Sequence, residues 1–262
     1  MQLSDIKRNV LAPPRAVIYG VPGIGKTTLA SRMPRPIFLP IEDGLGRLAV
    51  EALPRPRSYA EIVEAINLLL VEQHDYETFV LDSLDKIEPL IHEHVCATVP
   101  TEKGKRATRI EDYGYGKGYA HATTEWRSLL DGLDALRERG MMVAAIAHST
   151  VVRFEAPDLD PYDRYQLRLD KRADALVCDW ADLVLFCNYE TTLVNGGRDE
   201  RKRAIGSGKR VAYTTERPAW RAKNRYGLPD VVPLDWAVIQ AAIQVEPVGP
   251  AELNQPNPAT AT

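Results

Sequence analysis

The chain has 262 residues, 45% of them hydrophobic and 26% charged, with a formal net charge of -3. That is enough apolar material for a sizeable core, and a net acidic balance excludes a uniformly basic protein that coats nucleic acid, so any such contact must come from local basic patches. The longest apolar runs, such as 141–147, fall well short of the ~20 residues a bilayer-spanning helix needs, and the N-terminus has no signal-peptide pattern. A cytoplasmic location without a membrane partner is therefore the expectation. Cys96, Cys178 and Cys187 show neither C-x-x-C pairing nor histidine clustering and read as small buried apolar residues.

In chain order, Ala16, Val17, Ile18 and Tyr19 form an apolar run with the character of a buried strand. Gly20, Val21, Pro22, Gly23, Ile24, Gly25, Lys26 and Thr27 then spell G-x-x-x-x-G-K-[ST], and Thr28, Leu29 and Ala30 continue into a helix expected over 27–33. A second strand is predicted at 37–41, ending at Glu42-Asp43-Gly44. Ser58 and Glu61 make a capping box before an amphipathic helix. A third strand, 78–81, ends in Asp82-Ser83 and leads into a helix over 84–99 and a polar stretch, 100–118. A helix over 120–139 stops at Gly140, and a fourth strand, 141–147, ends at His148. A polar connection, 149–172, a short helix near 173–179 and a fifth strand at 181–188 follow. Residues 194–209 read as a hairpin tip between 189–193 and 210–215, and a last helix is predicted at 235–245.

This β-α-β-α-β alternation predicts an α/β domain over 1–245: a mostly parallel sheet with helices on both faces over 15–188, extended by a C-terminal β-hairpin and helix over 189–245. The Pro/Asn/Ala/Thr-rich tail, 246–262, reads as disordered.

The glycine loop is a polyphosphate site. Glycines let the backbone N–H groups curl around the anion, Lys26 bridges the β- and γ-phosphates, and the Thr27 hydroxyl holds Mg²⁺. Asp82, at a strand end, is placed to hold Mg²⁺ through water. The next residue is Ser83, so the water-activating carboxylate must stand elsewhere, and Glu42, at the neighbouring strand end, is the candidate; its alternative is a turn-capping acid beside Asp43. His148 is a candidate sensor of the γ-phosphate, or a simple cap.

The segments 20–27, 38–43, 79–83 and 145–148, in this order and spacing, resemble the RecA-core P-loop ATPases. Within them the chain is similar to the short phage-encoded RecA-like ATPases implicated in single-strand annealing and recombination, which share the segment 221–229. The resemblance implies ATP hydrolysis, a catalytic glutamate where Glu42 stands and a polar sensor where His148 stands. It also implies two loops that face single-stranded DNA. The first carries Lys103, Lys105, Arg106, Arg109 and Lys117 with Tyr113 and Tyr115; the second carries Arg153, Arg164, Arg168, Lys171 and Arg172 with Phe154, Tyr162 and Tyr165. Cations there would neutralise phosphates and aromatics would stack on bases, although neighbouring acids also fit a solvated loop. By the same resemblance, Lys223 and Arg225, a Lys-x-Arg pair at a strand predicted at 220–223, reach a neighbouring subunit's nucleotide, which implies self-assembly as a ring or filament; their alternative is surface charge beside the Gly-Leu-Pro turn. The tail is a candidate for recruiting a single-strand-binding protein. The rival readings are an AAA+-type helicase or helicase loader and an ATP-dependent switch that recruits protein.

Overall fold

The computed structural model describes residues 12–157, 160–194 and 203–243; the proposed tail lies outside them. The first half runs β1 (Arg15–Gly20), α1 (Lys26–Ala30), β2 (Pro36–Pro40), β3 (Glu51–Ala52), α2 (Tyr59–Val71), β4 (Thr78–Asp82), α3 (Leu84–Thr98) and α4 (Lys117–Glu138). The second half runs β5 (Met142–Phe154), β6 (Tyr162–Leu167), α5 (Lys171–Trp180), β7 (Leu183–Val194), β8 (Arg203–Tyr213), β9 (Lys223–Asn224), β10 (Val231–Pro233) and α6 (Trp236–Ile243).

The strands line up as β10-β8-β7-β1-β5-β4-β2-β3. Every pairing from β7 through β1, β5, β4 and β2 to β3 is parallel, whereas β8, β9 and β10 add antiparallel pairs beyond β7. Because side chains alternate across a strand, β1 sends Val17 and Tyr19 into one core with Ile62, Ile87, Trp126 and Val177 of α2, α3, α4 and α5. It sends Ala16 and Ile18 into a second core with Leu29 of α1 and Trp236 and Ile239 of α6. Burial on both faces accounts for the nearly continuous apolar runs of the parallel strands. This is the mostly parallel α/β sheet with helices on both faces and a C-terminal hairpin that the sequence predicts, although β8 begins at Arg203, inside the segment read as the hairpin tip.

Element bounds moved where backbone chemistry intervened. Helix α1 is shorter than predicted, because beyond Ala30 the chain tightens into i→i+3 bonds (Arg32 N–H to Leu29 O, 3.2 Å; Met33 N–H to Ala30 O, 3.1 Å) ahead of Pro34. At α2 the Ser58 hydroxyl accepts from the Glu61 N–H at 3.3 Å, while the Glu61 carboxylate accepts from Arg57 N–H instead of Ser58. The predicted strand at 220–223 shrinks to the two-residue β9, which begins three residues later. The larger correction concerns 149–172. In place of a loop, β5 continues past His148 and pairs antiparallel with β6, from Ser149 opposite Leu167 to Phe154 opposite Tyr162. Thr150, Val151 and Val152 are β-branched and suit a pleated surface, and the polar residues around them hid the signal.

At the N-terminal end of the strands, the buried Asp182 carboxylate gathers three guanidinium groups: Arg15 at 2.9 Å, Arg137 at 3.3 Å and Arg225 at 3.0 Å. All three cysteines are buried and unpaired. No helix among the described residues is long and apolar enough to cross a membrane.

Candidate nucleotide site

Strand register assembles the site. Gly20 stands opposite His148 across the β1–β5 pair, Asp82 opposite Ile146 across β4–β5, and Pro40 opposite Asp82 across β2–β4. Neighbouring strands are about 4.8 Å apart, so the carboxyl ends of β1, β4 and β2, together with β5 at the point where it leaves β1 for the hairpin, bring the glycine loop, Asp82, His148 and, two residues beyond Pro40, Glu42 to one rim. They line a cavity of about 440 Å³.

The loop holds its shape through close approach and left-handed backbone. A Cβ on Gly20 would stand 2.0 Å from the Cys187 carbonyl oxygen, and Gly23 and Gly25 have φ of 74° and 107°, values that cost a side chain strain. Lys26 is buried, and its ammonium donates to the carbonyls of Gly20 and Val21, each at 3.1 Å. Burial pulls its pKa below the ordinary lysine value, against the opposing pull of nearby Cys187 and acidic groups. A desolvated ammonium that leans on carbonyl dipoles is where an anion is worth most.

The Thr27 hydroxyl donates to Asp82 Oδ2 at 2.8 Å. Burial pushes the Asp82 carboxyl above its ordinary range, an effect the Thr27 bond partly offsets. A hydroxyl and a desolvated carboxylate side by side are hard oxygen donors, the chemistry that Mg²⁺ takes beside phosphates, so the residues present fit that ion.

Glu42 is fixed from several sides. Its Oε1 accepts from the Ser83 hydroxyl at 3.2 Å and lies 4.0 Å from His148 Nδ1, and Lys86 Nζ is 3.8 Å from Oε2. His148 is in turn held by Asp85, whose Oδ1 accepts the His148 backbone N–H at 2.9 Å while both carboxylate oxygens lie 3.1 Å from Nδ1. Burial alone would raise the Asp85 carboxyl, but the bonds from His148 outweigh it and hold the group below the ordinary range. Beyond His148 the β5–β6 hairpin begins, closed by Arg168 N–H to His148 O at 2.9 Å.

Asp85 and Ser83 were not singled out from sequence, although both flank Asp82 within one turn. Arg47 and Arg210 also line the cavity; neither belongs to a motif, and Arg210 arrives by long-range strand pairing.

The remaining site residues divide. Lys103, Lys105, Arg106, Arg109 and Tyr115 are exposed; Tyr115 is completely so and has φ of 47°. Lys117 opens α4 and is paired with Glu102. Tyr113 does not face solvent: it is buried in the core, with its hydroxyl 2.9 Å from Val95 O and 2.7 Å from Val99 O. Arg164 is likewise buried, paired with Glu216, its guanidinium 5.1 Å from the Phe154 ring centroid. Tyr165 stacks on Phe186 at 4.9 Å. Arg153 faces Asp163 at 3.6 Å, Arg168 is exposed on the hairpin's return, and Lys171 and Arg172 open α5, with Arg172 over the Tyr119 ring at 5.6 Å. Lys223 Nζ donates to the carbonyls of Cys178 (3.1 Å) and Asp179 (2.7 Å) at the end of α5, and Arg225 binds Asp182. Since β9 pairs with the start of β7, with Lys223 opposite Val184 while Gly20 stands opposite Cys187, and Arg225 N–H bonds to Asp182 O, the two cations lie three and five strand residues, roughly 10 and 17 Å, back along the sheet from the glycine loop of their own chain. They tie the far end of the sheet together.

A protein-family model described as an AAA domain matches residues 12–226. The SPbeta prophage-derived uncharacterized protein YorG of Bacillus subtilis (strain 168) is 28% identical over 204 residues, which are 76% of this chain and 56% of that protein. The chain thus spans little more than half the length of this relative. The solved structure of the RadB recombinase aligns with a TM-score of 0.43 at 14% identity, over 77% of this chain and 80% of that one. The family match runs from before β1, through every strand end of the cavity, to β9: this chain belongs to the AAA-domain family of P-loop proteins.

Proposed function

We propose that this protein binds ATP with Mg²⁺, hydrolyses the ATP, and uses nucleotide state to control its hold on single-stranded DNA in phage recombination or replication, working as a self-assembled oligomer. The observation that carries the enzymatic half is the contiguous set Lys26, Thr27–Asp82 and Glu42–His148 around one cavity. Mg²⁺, when bound, neutralises charge on the β- and γ-phosphate oxygens. Lys26 and the loop N–H groups bind the polyphosphate, and Thr27 and Asp82 hold the ion. Glu42, oriented by Ser83, accepts a proton from the attacking water as its oxygen bonds to the γ-phosphorus and the bond to the bridging oxygen of ADP breaks. His148, clamped by Asp85, carries the change at the γ-phosphate into the hairpin that starts at its own carbonyl.

The exposed Lys105, Arg106 and Arg109 with Tyr115 support the DNA half, since cations beside a stacking ring bind single strands without reading sequence. Measured by fluorescence anisotropy across a salt series, K105A/R106A/R109A is expected to weaken binding and flatten the salt slope by ~0.7 per lost phosphate contact. Tyr115→Ala is expected to cost about 1–3 kcal/mol if one base stacks there, whereas the buried Tyr113→Phe leaves DNA affinity unchanged. Equal salt slopes for wild type and the triple variant would remove these residues from the interface.

The ion pairs Lys117–Glu102, Arg153–Asp163 and Arg164–Glu216 consume cations expected at DNA, which favours a protein-recruiting ATP switch as the second reading. An AAA+-type helicase or loader draws support from the family match, but past β7 the described residues form β8, β9, β10 and the single helix α6 where that class carries a helical lid.

A further inference from the structure

We propose that Arg210 binds the phosphate chain of the nucleotide held by the glycine loop of its own chain. The inference rests on the reading of that loop as a nucleotide site. Arg210 lies on β8 opposite Tyr189, and its backbone carbonyl accepts from Leu234 N–H at 3.1 Å, which anchors the strand there. Its side chain is exposed, lines the same cavity as Lys26, Thr28 and Asp82, and brings Nη1 to 3.3 Å from the point where a Cβ on Gly25 would stand. The guanidinium therefore rests against the open side of the loop.

Two local features direct it there. The β7–β8 ladder slips between Tyr189 and Thr191: the single residue Glu190 on β7 spans Ser207, Gly208 and Lys209 on β8, with Gly208 at φ of 73°. Such a bulge bends a strand and re-aims the side chain that follows it. The nearest acid on the partner strand, Glu190, is already engaged, accepting from Ser207 Oγ at 3.0 Å with Lys209 at 3.9 Å. Arg210 itself makes no ion pair among the described residues, even though Glu42 and Asp82 line the same cavity. A guanidinium offers five N–H donors in a planar fork suited to phosphate oxygens, and this one is aimed at a loop built to hold phosphates. It supplies in cis the cation that Lys223 and Arg225, tied down at the far end of the sheet, do not bring to this cavity.

The test is calorimetric titration of the full chain with Mg²⁺-ATP and Mg²⁺-ADP, at two protein concentrations and two salt concentrations, alongside urea unfolding. For Arg210→Gln the expected result is a Kd at least about tenfold higher for both nucleotides, a weaker salt dependence of that Kd, partial recovery in Arg210→Lys, and an unchanged unfolding midpoint. Wild-type affinity in Arg210→Gln, with Lys26→Ala binding abolished, overturns the assignment while the loop keeps its nucleotide. A loss of affinity that appears only at the higher protein concentration moves Arg210 to a neighbour's site and overturns the cis contact. Absence of ATP and ADP binding in the wild type defeats the reading of the loop, and the Arg210 proposal with it.

Discussion

Glu42→Gln is expected to lower ATP turnover by roughly 10²- to 10⁴-fold, the usual worth of a positioned general base, with ATP binding nearly unchanged. The amide keeps the shape of the carboxylate and still accepts a bond from the Ser83 hydroxyl, which holds Glu42 at 3.2 Å in the native protein, but it takes up no proton. Lys26, Thr27 and Asp82, the proposed binding contacts, are untouched. The variant should therefore accumulate in the ATP-bound state, and any DNA complex that depends on that state should persist after wild type has released. Steady-state phosphate release beside an equilibrium ATP titration separates the two quantities. Turnover at the wild-type rate would strip Glu42 of the base role and leave it a turn acid beside Asp43.

Asp182→Asn should cost about 3–5 kcal/mol in urea-unfolding free energy. The carboxylate is nearly buried and its loss leaves Arg15, Arg137 and Arg225 facing one another around an uncharged amide. Linkage gives a second signature. Burial by itself would raise the Asp182 carboxyl, but the hydrogen bonds and charge of Arg15, with Arg137, overcome it and hold the group below its ordinary range. With the folded value below the unfolded one (~3.9), the unfolded chain takes up a proton first. The stabilisation is then complete above that unfolded value and fades as pH falls through the folded one. Wild type should thus lose stability on acidification more steeply than Asp182→Asn. Equal midpoints and equal acid sensitivity would mean that the cluster contributes nothing net.

Much of the site was legible because a parallel sheet turns sequence into position. Once the apolar runs are strands, Gly20, Asp82 and His148 must emerge at one rim, with Glu42 following the β2 end, and pairing registers bring them together. Side-chain direction was not legible in the polar segments. Tyr113 and Tyr115 are two residues apart, yet one is locked onto the carbonyls ending α3 and the other is bare, a difference made by where the 3-10 turn Ile110–Tyr113 seats against α3 and α4. Arg164 has the composition of a DNA contact and the surroundings of a core residue. Asp85 was missed because it acts through His148, 63 positions away, and Arg210 because only the long-range β7–β8 pairing carries it to the loop.

The most direct test of the account is ATP hydrolysis measured with and without single-stranded DNA over a range of salt, with Lys26→Ala as the blank. The expected result is turnover that Lys26→Ala abolishes, that DNA stimulates, and whose stimulation fades steeply as salt rises. Hydrolysis indifferent to DNA, with no DNA binding even at low salt, would contradict it and leave a nucleotide switch directed at protein.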